Sequence, residues 1–481
     1  MNTYPRTFMT SPTALVTALA LISLSGCTVG PDFQAPPASI SQHYDLQAEQ
    51  RLGDLGNRAV APHIEPGQPM RSDWWTAFGS PKLNQVVQRA IAGNLQLVAA
   101  DATLRQASAS VAAAQGALYP QVDLAAQVGR QKTHANPQTS VSPFYAVGPD
   151  VVFDLDAFGG TARRVEQQQA FALLQQHRYE AAYLTLTGEV VSQALLMASA
   201  NAQMAAVQKV LADDAKTLEL VSVAQHHGSA TQIDLALAQT RLAQDKTLLP
   251  PLAQQRDAAA HALAVLTGNG PADWAAPNVE LTDFTLPQSV PVSVPSQLAH
   301  SRPDILQAEA ELHMASAAVG VATANLYPHV ELSASLAQAA SGYGGAALWG
   351  FAAGLTAPIF NGGTLQAQRE GAVDGYRAAF ASYQQTVIAS FGQVADTLQA
   401  INHDAEQALA EDDALRAADT SLRLNQHAYA LGENSLLQVL EAERGYQQAV
   451  LGQTRAKTAQ HLDTVRLFVA LGGHSVGVRQ Q

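Results

Sequence analysis

The side chains that could do chemistry are few and widely spaced. Cys27 is the only cysteine. A lone thiol cannot form an internal disulfide, so in a secreted chain it points to a modification or to pairing with another molecule. His226 and His227 are adjacent, as metal ligands can be. No further ligand cluster lies near them, and they read as exposed loop histidines. Arg302-Pro303-Asp304 looks like a charged constellation. Proline at a first helical position and an acid beside a helix N-terminus explain it without chemistry. Gly342-Tyr343-Gly344-Gly345 lacks the Lys and Ser/Thr of a phosphate loop. No Ser-His-Asp, paired-carboxylate or zinc-ligand spacing stands out. The sequence therefore offers no active site, no metal site and no cofactor beyond a group carried on Cys27.

The start of the chain gives that cysteine a role. Residues 1–26 read as a secretory signal, with Arg6 the only charged side chain and an apolar core over 14–24. The core ends in Leu24-Ser25-Gly26-Cys27, which resembles the bacterial lipoprotein box, where the cysteine becomes the acylated first residue. Each buried acyl CH₂ contributes about 0.8 kcal/mol, so several chains anchor stably.

Composition narrows the classes. The net charge of −13 disfavours nucleic acid, which needs a basic surface. Aromatics make up only 6%, against many compact globular cores and for long, closely packed helices. After the signal no run of eighteen apolar residues occurs, so no helix of the body is expected to cross a membrane.

The elements are written twice. Leu118-Tyr119-Pro120 and Leu326-Tyr327-Pro328 each open a pair of strand-like segments, 121–130 with 144–154 and 329–338 with 349–359. Val330, Leu332, Ala334 and Leu336 alternate with His329, Glu331, Ser333 and Ser335. Val122, Leu124, Ala126 and Val128 alternate with Gln121, Asp123 and Gln127, and Trp349, Phe351, Ala353, Leu355 and Ile359 form another such face. Period two marks a strand with one apolar face. Ten-residue segments of this kind fit a transmembrane β-barrel wall. They fit two hairpins of a soluble sheet equally well.

Each pair is followed by a very long helical stretch, about 161–225 and 364–430, free of proline. At 1.5 Å per residue the first would run about 100 Å. Turns at His227-Gly228 and Leu431-Gly432 precede returning helices, the first carrying Pro250-Pro251, where a break is expected. The boundaries read as a lipoprotein-type signal over 1–26, an anchored extended segment over 27–72, repeat 1 over 73–270, a proline-rich linker over 271–295, repeat 2 over 296–473 and a tail over 474–481. Four strands cannot close a barrel, because about eight are the practical minimum. Strands that span a membrane here must therefore be shared among chains, and three chains would give twelve.

The ordered set of local patterns carries a resemblance. It includes Cys27-Thr28-Val29-Gly30-Pro31-Asp32-Phe33, Trp74-Trp75 with Phe78 and Leu83, and Asn94. It continues with Ser301-Arg302-Pro303-Asp304-Ile305, the two Leu-Tyr-Pro sites, Phe360-Asn361-Gly362-Gly363, and Leu440-Glu441-Ala442-Glu443-Arg444. The chain resembles the outer membrane factors of tripartite efflux systems, the TolC-like family in its NodT-type lipoprotein branch. The resemblance implies an α+β membrane protein: a homotrimer with a 12-stranded transmembrane β-barrel, four strands per chain, continuing into a long periplasmic α-barrel of coiled-coil hairpins. It implies a passive exit duct in the outer membrane for drugs or other small toxic compounds, working with a periplasmic adaptor and an inner-membrane transporter. Thr28 after the cysteine is similar to lipoproteins sorted to the outer membrane.

By the same resemblance the duct closes at Leu437, Glu441 and Arg444, with the turns at Gly228 and Gly432 as adaptor contacts. Residues three and four apart share a helix face, so a trimer would stack rings of leucine, glutamate and arginine, with Gln438 and Gln448 off that constriction. Two other classes compete. A periplasmic adaptor would carry one hairpin flanked by small β domains. A structural coiled-coil lipoprotein would not need the alternating strands with Phe144, Tyr145, Trp349 and Phe351.

Overall fold

The computed structural model describes residues 28–37, 41–57, 61–68, 70–135, 138–341 and 344–472. The signal, Cys27, residues 342–343, Gly473 and the tail lie outside the described residues. In chain order come α1 (Leu46–Asn57), β1 (His63–Pro66), a 3-10 turn (Trp74–Phe78), α2 (Pro81–Gly93), α3 (Leu95–Gly116), β2 (Gln121–Ala135) and β3 (Gln138–Leu155). Then follow α4 (Gly160–His226), α5 (Gln232–Lys246), α6 (Leu249–Leu266), β4 (Ser289–Val292), α7 (Pro295–Leu298) and α8 (Pro303–Ala324). The chain closes with β5 (His329–Ser341), β6 (Gly344–Thr356), α9 (Thr364–Ala430) and α10 (Leu436–Leu471). The two long helices are each 67 residues, as expected of two copies of one unit.

Two compact units cut across the repeats. One holds 1–36, 104–175 and 308–383, and the other 37–103, 176–307 and 384–481.

The first unit is built on a four-stranded antiparallel sheet in the order β2-β3-β5-β6. Its strands run a few residues past the expected ends. Ile359 falls beyond β6, so it does not extend that strand's face. An extended N-terminal strap docks below the sheet. Val29 N–H donates to Phe158 O at 3.1 Å. The Arg163 guanidinium, nearly buried, bonds Asp32 and Glu166 at 2.7 Å each. His313 reaches Glu166 at 2.9 Å and stacks on Phe33 at 4.2 Å. Gly30 has φ 94°, and a Cβ there would lie 2.6 Å from the Gly320 Cα. Glycine is thus required twice over, by conformation and by contact.

The second unit holds the apolar core. Trp74 stacks on Phe468 at 5.2 Å, and Phe78 meets the same ring edge-on at 6.2 Å. Leu83, Val86, Val87 and Ala90 are the buried stripe of α2, whose start is capped by Ser80 Oγ accepting from Leu83 N. Each of its Leu and Val side chains contributes about 1.5–3 kcal/mol on burial. The 27–72 segment is less extended than its composition suggests. Ala48, Leu52 and Leu55, at spacings of four and three, are buried as the inner face of α1. Glycines at 53 and 56 obscure that stripe in the sequence. β1 then pairs in parallel with β4, joining the segment to the linker between the repeats. The returning helix breaks between α5 and α6, and Pro250-Pro251 sit in the first turn of α6, where a missing N–H costs nothing. One window of α4 is apolar enough for a membrane-crossing helix, but 56% of it is buried in the protein, as a core helix is.

Candidate functional site

The sheet register decides what its faces are. Residues opposite each other in an antiparallel pair project to the same side. Val122, Leu124 and Val128 face Val151, Pro149 and Tyr145 across β2–β3. Val151, Phe153 and Leu155 face Ala334, Leu332 and Val330 across β3–β5. Val330, Leu332, Ala334 and Leu336 face Leu355, Ala353, Phe351 and Trp349 across β5–β6. The three alternating patterns and Val151, Phe153 and Leu155 of β3 therefore fall in phase and make one continuous apolar face, which ends in Arg130 and Gln338 toward the hairpin turns. Leu124, Trp349, Phe351 and Leu355 on it are all more than two-thirds exposed. The other face carries Gln121, Asp123, Gln127, Asp150, Asp154, Glu331, Ser333 and Ser335, with Phe144, Val152, Leu348 and small residues between them. Asp123 is paired with Asp150 and Asp154 with Glu331, and His329 reaches Asp154 at 2.7 Å. A sheet with one hydrocarbon-compatible face and one acidic, wet face can separate lipid from water. β2 and β6 form the two outer edges, each pairing with a single neighbour.

The turns ending the two long helices are copies of each other. Gly228 has φ 77° and Gly432 has φ 78°. Gly228 N–H donates to Gln225 O and Ser229 N–H to Ala224 O, while Gly432 N–H donates to Tyr429 O and Glu433 N–H to Ala428 O. This is the Schellman closure, in which a left-handed residue satisfies the last helical carbonyls. Thr231 then opens α5 with a capping box to Asp234. The His226 and His227 rings stand 6.2 Å apart, and no group of metal-ligating side chains occurs among the described residues.

Leu437, Glu441 and Arg444 lie on the exposed side of α10. The opposite side packs down, with Leu436 and Leu440 against Val221 of α4. The structure thus brings the three expected gate residues onto one free face, and no ion pair joins Glu441 to Arg444 among the described residues. Gln448 corrects the sequence reading. It is also exposed and lies one turn beyond Arg444 on the same stripe, so only Gln438 remains off it.

A family description for outer membrane efflux proteins matches residues 86–269 and 294–473, one match over most of each repeat. The chain belongs to the outer membrane efflux protein family. It is 30% identical to the pyoverdine export outer membrane protein OpmQ of Pseudomonas aeruginosa, over 85% of this chain and 90% of that one. It is 27% identical to the antibiotic efflux pump outer membrane protein ArpC of Pseudomonas putida, over 95% and 94%. The solved outer-membrane channel OprN superposes with a TM-score of 0.82 at 26% identity, covering 93% of this chain and 99% of that one.

This outer membrane efflux protein is the outer-membrane channel component of a tripartite efflux system and extends into the periplasm. Its relatives are channel proteins. Three features of it are not legible in the sequence. Arg302, which reads as a helix-start residue, is a buried tether. It donates to Ala470 O at 2.8 Å and to the Gln393 side chain, and it pairs with Asp304 at 2.8 Å. The strap contacts of Arg163 are the second. The third is a pair of buried carboxyl contacts, Asp214 with Asp245 and Asp404 with Asp463. Their partners are 31 and 59 positions apart in the chain, so no local spacing announces them.

Proposed function

We propose that three copies of this chain form the duct, each contributing its four strands to one twelve-stranded barrel and its long helices to one helical tube. A single observation supports this most: the sheet has a continuous apolar face and two unpaired edges. In hydrocarbon an unpaired edge costs several kcal/mol per N–H or C=O, so the edges must meet. β6 of one copy meeting β2 of the next closes the ring without leaving an edge, as cyclic symmetry requires.

In this reading Cys27 carries the acyl anchor. Thr28, its neighbour, packs against Gly159 at the foot of the sheet, which would set the lipid at the membrane surface. Leu437, Glu441 and Arg444 form the constriction, and the turns at Gly228 and Gly432 meet the periplasmic adaptor that links the duct to an inner-membrane transporter. The cargo is small toxic compounds or exported metabolites. Relatives named for pyoverdine export and for antibiotic efflux support a duct that takes its cargo from the pump. No catalytic step is assigned to it.

The test is the mass of the detergent-extracted complex before and after heating. A complex of three chains that falls to monomer on heating supports the reading, and a stable monomer inserted in the membrane overturns it. Mass spectrometry of the mature N-terminus tests the anchor, which an unmodified Cys27 would exclude.

A further inference from the structure

The helical unit contains two carboxyl contacts that neither the duct wall nor the constriction uses. Asp214 on α4 is 2% exposed, and neither of its carboxyl oxygens has a donor among the described residues. Its neighbour is the Asp245 carboxyl on α5, 4% exposed and within hydrogen-bonding reach. Ionised carboxylates only accept hydrogen bonds. Two of them in contact repel, and one proton between them turns the contact into an O–H···O bond.

The surroundings do not neutralise the pair. From α5, Arg241 Nε approaches Asp245 Oδ2 at 2.8 Å as a poorly aligned ion contact. The same guanidinium donates to Gln447 Oε1 on α10 at 2.7 Å. One turn earlier on α10, Glu443 is buried, and its Oε2 also lacks a donor. Asp213 and Lys209 of α4, Gln426 of α9 and Tyr446 of α10 complete the wall of a cavity of about 50 Å³. Three buried carboxyls thus share one nearly buried guanidinium. Full ionisation would leave uncompensated charge in a poorly hydrated place, which is strongly unfavourable.

We propose that Asp214 and Asp245 bind one proton between them, and that this proton helps hold α4 and α5 against α10. Burial, reinforced by the Asp245 carboxyl, pushes Asp214 up to about 7, and burial raises Glu443 as well. The folded value lies above the unfolded one. The proton's contribution is therefore complete below the ordinary carboxylate range and is lost as pH rises through about 7. Acid tightens the junction and mild alkali loosens it. Asp404 of α9 and Asp463 of α10 form a second contact of the same kind. Asp404 Oδ2 lacks a donor, burial and Asp463 push Asp404 up to about 7, and Arg466 pairs with Asp463 at 2.5 Å. It titrates in the same window and has to be separated by mutation.

The experiment is infrared difference spectroscopy of the purified, assembled full chain as pH is raised through about 7. The expected result is loss of protonated-carboxyl absorption in the wild type. The loss should be smaller in Asp214→Asn, smaller in Asp404→Asn and smallest in the double variant, where only Glu443 is left to contribute. The asparagine amide supplies the missing donor permanently, so Asp214→Asn should also lose part of the fall in melting temperature over that window. A wild type without the absorption, or an undiminished loss in both Asp214→Asn and Asp245→Asn, overturns the proposal. A conductance titration rests on the duct reading as well. Conductance rising with pH in the wild type and less in Asp214→Asn supports both. Flat conductance with the infrared change present overturns the placement of the constriction and leaves the proton site standing.

Discussion

Asp123 stands directly across the β2–β3 ladder from Asp150. Like charges in that position cost about 0.2–1 kcal/mol relative to neutral pairs, and far more if water is kept from them. They sit on the face opposite Leu124 and Val151, so the register that makes one side fit for lipid keeps the carboxylates on the side that must stay wet. In the proposed duct they would form an acidic belt around the lumen, and charged rings bias which ions pass.

Replacing both acids should therefore weaken cation preference. Asp123→Asn with Asp150→Asn is expected to move the reversal potential of single channels in a salt gradient toward zero, with assembly unaffected or slightly stabilised. An unchanged reversal potential would mean that this face does not line the water path.

The two faces should respond oppositely to charge. Leu332→Arg or Leu336→Arg should cost about 2–4 kcal/mol near the membrane midplane and lower the yield of heat-dissociable complex. Ser333→Arg and Ser335→Arg, on the other face, should be tolerated. Equal damage on both faces would contradict a lipid–water partition across this sheet.

At the proposed constriction, Glu441→Ala or Arg444→Ala should raise basal conductance, and Leu437→Ala should widen the pore further. Glu–Arg pairing between chains at a partly wet site is worth about 0–1 kcal/mol per pair, weak enough for an adaptor to undo. Gln438→Ala is the control, since Gln448 shares the stripe. If all four variants conduct like the parent, the constriction lies elsewhere.

The strap should come loose through one glycine. Gly30→Val puts a branched side chain at φ 94° and against the Gly320 backbone, two penalties that cannot be relieved together. Faster proteolysis within 28–36, with the rest of the chain intact, is the expected outcome. A cleavage rate equal to wild type would show that the strap is not held by this contact.

Much of the fold was legible because it is periodic. Alternation marked β2, β5 and β6, the repeat marked β3, and the proline-free stretches between Gly160 and Gly228 and between Thr364 and Gly432 marked the two long helices. What periodicity cannot supply is phase between distant segments. Nothing local says that Val151 will lie opposite Ala334, or that four apolar faces will coincide. The same limit hid Asp214 and Asp245, which sit on two different helices and meet only in the fold. Arg302 and Arg163 were likewise invisible as tethers, because their partners come from segments far away in the chain. The misplacement of Gln448 has another cause: a helix turns 100° per residue, and four residues past Arg444 returns nearly to the same line.

The open ladders on β2 and β6 also constrain the history of each molecule. A lone chain has nowhere stable to rest: in lipid its edges are unsatisfied, and in water its apolar face is bare. Encounter with sister chains must therefore come before, or together with, entry into the bilayer. The yield of finished channels should depend on how fast new chains arrive, and a scarce chain should be lost to proteases before it is ever misplaced in the membrane.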